Sequence, residues 1–329
     1  SISLRANSFS GIIPPSYVGN PALAHVDLAM NLLTGTIPDR FSANASLSTF
    51  DLSYNSLHGE LPPSLTLALC ASLGNLTLSS NRLTGSLDGL FPPSCSAVHI
   101  DFSDNKLTGP IPPELGDCAA LVGLFLRSNN LTGQVPASIG SLGSLSLLDL
   151  SNNAINGLDW NVDEQPSLKF LSLRANALAA PPIVFYVEAL FLSQTQFVCK
   201  WTANLRFLDV SANPRAFGGS SLLQALTRMM RTPPGAVASN WPFCVDAGRT
   251  SIVSMETLIM SENSIGGQLA SDTLLLFPSI SYLDLSSNRL EGRLPRTALT
   301  SSFNLPYGLS TLDLSDNDFV GSIPLSFAV

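Results

Sequence analysis

The sequence predicts a solenoid, an α/β-class stack of about thirteen turns wound as a right-handed superhelix. We expect a parallel β-sheet on the concave face, with loops, 3-10 turns and short strands on the convex face. Two observations support this prediction. One residue skeleton recurs along almost the whole chain, and apolar residues alternate with polar ones at the same point of each recurrence.

The recurring skeleton is LxxLxLxxNxLTGxIP, shown most completely by residues 121–136. Its asparagine position, which we call the slot, recurs at a step of 24 residues through most of the first half of the chain. The slots are Asn7, Asn31, Asn55, Asn81, Asn105, Asn129, Asn153, Asn176, Thr195, Asn213, Asn263, Asn288 and Asn317. So many matches in register exclude chance as their cause.

The chemistry of the skeleton explains why it repeats. The LxL alternation is the period of a strand with one buried face, and a single repeat cannot bury its leucines without neighbours. The chain turns inward after the strand, so the slot asparagine is predicted to satisfy backbone groups of adjacent turns that would otherwise be buried unpaired. The glycine and proline of the TGxIP part set the turn on the outer side.

Composition restricts the possible functions. Hydrophobic residues make up 45% of the 329 residues and charged residues 12%, with a formal net charge of −8. This balance argues for a large core and against non-specific binding to nucleic acid or anionic membranes. The three histidines, His25, His58 and His99, stand in no catalytic or zinc motif, so we expect no enzyme activity, no metal and no cofactor.

The LTGxIP part resembles the plant-type extracellular leucine-rich repeat. The resemblance is carried by TGTIP at residues 34–38, TGPIP at 108–112, GSIP at 321–324 and the segment 111–121. That family includes ectodomains of receptor-like kinases and receptor-like proteins, and polygalacturonase-inhibiting proteins. The resemblance therefore implies a leucine-rich-repeat solenoid that works outside the cell and recognises a peptide, a protein or a glycan.

The repeat pattern predicts a single solenoid over residues 1–329 with three parts. Repeats are regular over 1–157, short and irregular over 158–254, and regular again over 255–329. A step of 50 residues between Asn213 and Asn263 indicates an insertion with a short helix near 220–231. Family members usually have a cysteine-paired cap at each end. Both caps are missing, so we expect an excerpt of a longer polypeptide, or a partner subunit over the ends.

The five cysteines fall into two groups. Cys70, Cys95 and Cys118 stack in successive turns, and by resemblance to the family they are interpreted as small apolar thiols of the core. A Cys70–Cys95 bond is the alternative, because adjacent turns bring Cα atoms within disulfide range. Cys199 and Cys244 flank the irregular part, and a disulfide between them would cross-link it.

Three sequons make Asn44, Asn75 and Asn130 candidates for N-linked glycans in a secreted protein. Asn44 is expected on an outer loop and Asn130 just past a strand. Asn75 is expected beside the strand itself, where a glycan would obstruct the concave face of its turn.

The concave face is the candidate binding surface. Four residues before the slot it carries an aspartate column: Asp27, Asp51, Asp101, Asp149, Asp209, Asp284 and Asp313. We interpret this column as local hydrogen bonding, with a cationic ligand as the alternative. Aromatic and basic residues interrupt the pattern in turns six to ten, as is typical of interface anchors. The candidate ligand-binding residues are Phe125, Arg127, Lys169, Phe170, Arg174, Phe191, Arg206 and Phe207.

Two functions are compatible with this pattern. The first is a non-catalytic binding module, an extracellular receptor-like ectodomain whose concave face binds a protein or peptide ligand, a neighbouring subunit or a glycan. The second is a structural or scaffold module in a larger extracellular assembly. We expect no nucleic-acid partner and no membrane insertion of this segment, since its longest apolar run is far shorter than the roughly 20 residues of a spanning helix.

Overall fold

The computed structural model describes residues 1–18, 20–41, 46–159, 167–178, 189–191, 206–211, 255–269, 279–294 and 309–324. The chain divides into two compact units, unit 1 (Ser1–Ala177) and unit 2 (Leu178–Val329). The segment 220–231, Cys199, Cys244 and Asn44 lie outside the described residues. No helix in the described part of the chain is both long enough and apolar enough to cross a membrane.

Unit 1 consists of short strands separated by short helical turns. Its strands are β1 (Ile2–Ser3), β2 (Ser10–Gly11), β3 (His25–Asp27), β4 (Leu32–Leu33), β5 (Thr49–Asp51), β6 (His58–Glu60), β7 (Asn75–Thr77), β8 (Arg82–Thr84), β9 (His99–Asp101), β10 (Thr108–Pro110), β11 (Gly123–Phe125), β12 (Asn130–Val135), β13 (Leu147–Asp149), β14 (Ala154–Leu158) and β15 (Phe170–Ser172). Helices α1 (Pro15–Val18) and α2 (Leu65–Ala71) and the 3-10 helices Pro113–Asp117 and Ala137–Ser141 lie between them.

The odd-numbered strands of unit 1 form one parallel sheet, and each pairs with the strand of the next turn. Pairing is residue for residue: His25 lies opposite Thr49, and Thr49 opposite Asn75. Residues at the same distance from their slots therefore form columns across the sheet. The even-numbered strands form short parallel sheets on the flank. This arrangement confirms the predicted parallel-sheet solenoid.

Unit 2 repeats the same arrangement in its described part. Its strands are β16 (Ala189–Phe191), β17 (Phe207–Asp209), β18 (Thr257–Ile259), β19 (Gly266–Gln268), β20 (Tyr282–Asp284), β21 (Arg289–Gly292), β22 (Thr311–Asp313) and β23 (Asp318–Phe319). Strands β16, β17, β18, β20 and β22 are successive neighbours in a parallel sheet, and β19, β21 and β23 form a flanking sheet.

In unit 1 the central residue of each three-residue strand of the main sheet points into the core. In unit 1 the core column contains Val26, Phe50, Leu76, Ile100, Leu124, Leu148 and Leu171, all at most 1% exposed. The alternate residues face the opposite side, as the period of a strand requires. We call that surface of unit 1, formed by the outward residues of the odd-numbered strands and of the segment between each of these strands and its slot, the sheet face.

The slot asparagines confirm the predicted backbone role. The Nδ2 group of Asn105 donates to the carbonyls of Phe102 and Ser103 in its own turn, and to that of Leu78 in the preceding turn, at 3.0–3.2 Å. Its Oδ1 atom accepts from the Leu83 amide of the preceding turn at 2.9 Å. Asn31, Asn81 and Asn129 repeat this set of contacts, so a column of buried amides joins each turn to the one before it.

The residue before the slot produces the inward turn. It has a left-handed backbone with φ of 51–58° in eleven described turns, although none of these residues is glycine. They are Ala6, Met30, Tyr54, Ser80, Asp104, Ser128, Asn152, Ala175, Glu262, Ser287 and Asp316. A non-glycine residue rarely adopts this conformation, so its recurrence shows that the surrounding turn imposes it.

The cysteines correct the sequence interpretation. Cys95 and Cys118 form a disulfide with their Cα atoms 4.5 Å apart, so the prediction of free core thiols at these positions is wrong. The alternative Cys70–Cys95 bond is not formed, and Cys70 is an exposed free thiol at the end of α2. The physical cause is orientation. Cys95 and Cys118 both turn inward, being 8% and 0% exposed, whereas Cys70 faces solvent.

Candidate functional site

The aspartate column serves local hydrogen bonding, as interpreted from the sequence. In each of the seven residues, Oδ1 accepts from the backbone N–H two residues further on, at 2.8–3.1 Å. A serine hydroxyl also donates to Asp51, Asp149 and Asp313 at 2.6–2.7 Å, and the Ser315 hydroxyl and amide lower the pKa of Asp313. Among the described residues, no group of three or more His, Cys, Asp or Glu side chains could hold a metal ion.

Phe125 stands where other turns have the aspartate of this column, and its ring occupies a defined space on the sheet face, which we call the seat of Phe125. It lies between Asp101 and Asp149 of the neighbouring strands and is half-buried. Its ring folds back over Gly123: a Cβ atom on that glycine would lie 3.0 Å from Cε2 of Phe125 and 2.9 Å from Cδ2 of His99. The missing side chain of Gly123 therefore makes the space that the ring occupies beside His99.

Arg127 is less available than its position in the sequence suggests. Its Nη2 atom donates to Oδ2 of Asp104 at 3.0 Å. The hydrogen bond to Asp104 and the charge of that carboxylate raise the pKa of Arg127, with smaller contributions from Asp149 and Asp101. Since both partners are about half exposed, the ion pair is expected to add little stability, about 0–1 kcal/mol.

The last described turn of unit 1 contains three more candidate residues. Lys169 is exposed, Phe170 is half-buried on β15, and Arg174 is exposed just beyond that strand. No described carboxylate forms an ion pair with Arg174, in contrast to Arg127. Arg174 is therefore a cation of the sheet face that a ligand can approach directly.

The other three candidates belong to unit 2. Phe207 on β17 is half-buried, and Arg206 before it forms an ion pair with Glu256 in which Nη1 lies 3.4 Å from Oε1. The backbone of Phe191 is in β16. The eight candidates are thus distributed over two units, with Phe125, Arg127, Lys169, Phe170 and Arg174 in unit 1.

The sequence analysis missed Arg5, His99 and Gly123 as residues of the sheet face. Arg5 stands two residues before its slot, as Arg127 does, and its Nη1 atom contacts Oδ2 of Asp51 at 3.0 Å and Oδ1 of Asp27 at 3.8 Å. The column position would have identified Arg5. A glycine two residues before an aromatic residue on the same face was the available signal for the Phe125 seat.

The described sequons differ in their surroundings. Asn75 is exposed on the sheet face, where Nδ1 of His99 lies 3.1 Å from its Oδ1 atom. Asn130 is exposed at the start of β12 in a flanking sheet. The described residues leave the side chains of both asparagines exposed, so both are accessible.

A shallow cleft on the outer loops of unit 1 is a separate feature. Its lining residues come from three successive turns: Pro15, Ser16, Asn20, Asp39, Arg40, Phe41 and Ser64. The hydroxyl and the amide of Ser64 form hydrogen bonds that lower the pKa of Asp39, and the amide contact is 2.9 Å. The Asp39 carboxylate thus links one turn to the next through its hydrogen bonds with Ser64.

Comparison with known proteins finds the same repeat. The family model described as Leucine Rich Repeat matches residues 46–67, 96–118, 279–298 and 308–329. A curated Arabidopsis thaliana protein, Strubbelig-Receptor Family 1, is 34% identical over 98 residues, which cover 29% of this chain and 12% of that protein.

Two solved structures of the Arabidopsis receptor kinase HAESA are also similar. The complex with the peptide hormone IDA and the co-receptor SERK1 has 28% identity and a TM-score of 0.59, covering 97% of this chain and 46% of that one. The ectodomain complex with an N-terminally extended IDA peptide has 25% identity and a TM-score of 0.67, covering 98% and 50%.

Stacked parallel strands, with buried asparagines in slots such as those of Asn105 and Asn129, are the features of a leucine-rich-repeat solenoid. Its TGxIP repeats are similar to the plant-type extracellular leucine-rich repeat, and the relatives above support that similarity. The matches are to repeat regions and ectodomains and indicate no catalytic family. The chain spans 12% of the curated relative and about half of each HAESA chain.

Proposed function

We propose that the chain is a non-catalytic recognition module that binds an extracellular peptide or protein through the sheet face of unit 1. The observation that carries this proposal is the seat of Phe125. In the middle of the face, a half-exposed aromatic ring stands where other turns have an aspartate that accepts local hydrogen bonds. The position of this ring depends on the absence of a side chain at Gly123. Half-exposed aromatic residues that are already positioned are typical anchors for a partner.

Arg174 supplies a second anchor of different chemistry. It stands on the same face, two turns along from Phe125, which is about 10 Å across the sheet, and two residues further along the strand direction. Its guanidinium is exposed and forms no ion pair with a described carboxylate, so it can donate to a carboxylate or carbonyl of a ligand without first breaking a contact. An extended peptide is long enough to reach both anchors.

Two observations support an extracellular location and a peptide as the ligand. The Cys95–Cys118 disulfide is of a kind that persists in oxidising compartments. Both HAESA structures contain a peptide hormone bound to an ectodomain with the same repeat. By analogy, the sheet face of this chain is proposed to receive an extended segment of its partner.

The proposal predicts that Phe125→Ala combined with Arg174→Ala weakens binding without unfolding the chain. Short peptides would be selected from a random display library on the secreted wild-type protein, and their affinities measured by calorimetry. We expect at least about a tenfold loss for the double variant, or 1.4 kcal/mol, because two anchors are truncated.

Lys106→Ala is the matched control, since Lys106 is an exposed cation just past its slot and outside the main strands. It should leave both the affinity and the melting temperature unchanged. Equal affinity of the wild type and the double variant for the selected peptides would contradict the sheet face as the binding surface. Failure to select any peptide would favour the structural, scaffold role.

A further inference from the structure

Asn75 differs from the buried slot asparagines of unit 1. Slot residues such as Asn81 and Asn105 are buried, and each Nδ2 group donates to three backbone carbonyls. Asn75 is exposed on the sheet face, and its Nδ2 group donates to no described residue. The amide nitrogen of Asn75 is therefore available for a covalent attachment.

The Asn75 sequon is a complete strand. Asn75 and Thr77 are the ends of β7 and face outward, while Leu76 between them is fully buried. Nδ1–H of His99 on the next strand donates to Oδ1 of Asn75 at 3.1 Å. This contact uses the oxygen of the amide and directs the nitrogen toward solvent.

We propose that Asn75 carries an N-linked glycan. This glycan would cover the sheet face around β7, so that the binding surface does not extend to the strands from β1 to β7. The proposal rests on the extracellular location given above. The Nδ2 atom attacks the anomeric carbon of a lipid-linked oligosaccharide diphosphate. A C–N bond forms, the bond from carbon to the diphosphate oxygen breaks, the lipid diphosphate leaves, and the amide releases one proton.

The product keeps the contacts that the folded chain needs. A linked amide retains its carbonyl oxygen and one N–H, so the hydrogen bond from His99 survives. The glycan then stands on β7 between Thr49 and His99, its cross-strand neighbours. It is bulky compared with the strand spacing of about 4.8 Å, so it covers the face of neighbouring strands. The uncovered part of the sheet face begins near Phe125 and continues to Arg174.

Glycopeptide mapping of the chain secreted from eukaryotic cells tests the modification. Enzymatic deglycosylation converts a linked asparagine to aspartate, which mass spectrometry locates. We expect conversion at Asn75 in most wild-type molecules and none in Thr77→Ala, which removes the sequon but keeps Asn75 and His99. Thr132→Ala is the control variant, since it removes only the Asn130 sequon.

An unmodified Asn75 overturns the proposal. If Asn130 is then modified, the extracellular location stands and only the Asn75 site fails; if Asn130 is also unmodified, the failure includes that location. Hydrogen exchange with a display-selected peptide tests the extent of the binding surface. In the glycoprotein we expect protection on β11 to β15 and none on β3 and β5, and protection of β3 or β5 there would equally overturn the proposal.

Discussion

Replacement of Asn105 by alanine is expected to lower the free energy of unfolding by about 3–5 kcal/mol. The variant leaves the Leu83 amide and the carbonyls of Leu78, Phe102 and Ser103 without their side-chain partner inside the core. Each buried polar group left unsatisfied costs about 1–3 kcal/mol, and local relaxation recovers only part of the total. Urea unfolding of the full chain measures the loss.

Hydrogen exchange adds a local measurement, since a stack of repeats need not unfold as a single two-state unit. The Leu83 amide should lose protection in Asn105→Ala before amides several turns away. Asn130→Ala is the control, because Asn130 is exposed and forms no comparable set of bonds. A loss below about 1 kcal/mol for Asn105→Ala would show that water replaces the amide at little cost, contrary to the proposed role of the slot.

Replacement of Gly123 by valine is expected to displace the Phe125 ring. The added Cβ atom would lie 2.9 Å from Cδ2 of His99 and 3.0 Å from Cε2 of Phe125, closer than van der Waals contact allows. We expect a destabilisation of about 1–3 kcal/mol from this crowding. Because the anchor moves from its seat, binding of the display-selected peptides should also weaken by at least about tenfold.

A matched control and a rescue separate crowding from other effects of valine. Thr49→Val changes an equivalent column position on the same sheet without filling an occupied space, so it should be neutral within about 0.5 kcal/mol. Phe125→Ala in the Gly123→Val background should recover about 1 kcal/mol relative to the sum of the single variants. Strict additivity in this cycle would show that the ring does not depend on Gly123.

The sequence predicts the repeat because asparagine is the side chain that meets the hydrogen-bonding requirement of almost every slot. A buried amide that must both donate and accept is asparagine in almost every described turn, and the residues around it have a fixed spacing. The column arithmetic therefore placed Phe125 and Arg174 on the correct face. The repeated aspartate at one distance from the slot was interpreted as local hydrogen bonding, with a cationic ligand as the alternative, and the structure shows the hydrogen bonds.

Contacts between different columns could not be predicted in the same way. The Arg127–Asp104 pair joins side chains at different distances from their slots, and it depends on the left-handed backbone at Asp104. The Cys95–Cys118 bond depends on the inward orientation of two loop residues, which spacing alone left open against Cys70–Cys95. Such details follow from side-chain direction, and a one-dimensional pattern does not contain that information.

The slot amides also bear on how such a chain can change length. Slot asparagines such as Asn105 and Asn129 bond to the preceding turn, and that turn offers them a backbone amide and carbonyls. One turn thus contains both the asparagine that bonds to the turn before it and the backbone groups that bond to the turn after it. A gene segment that encodes a whole turn can be duplicated or deleted, and the new neighbours meet with complementary groups. Recombination thereby lengthens or shortens the solenoid without any change to the side chains that bond one turn to the next.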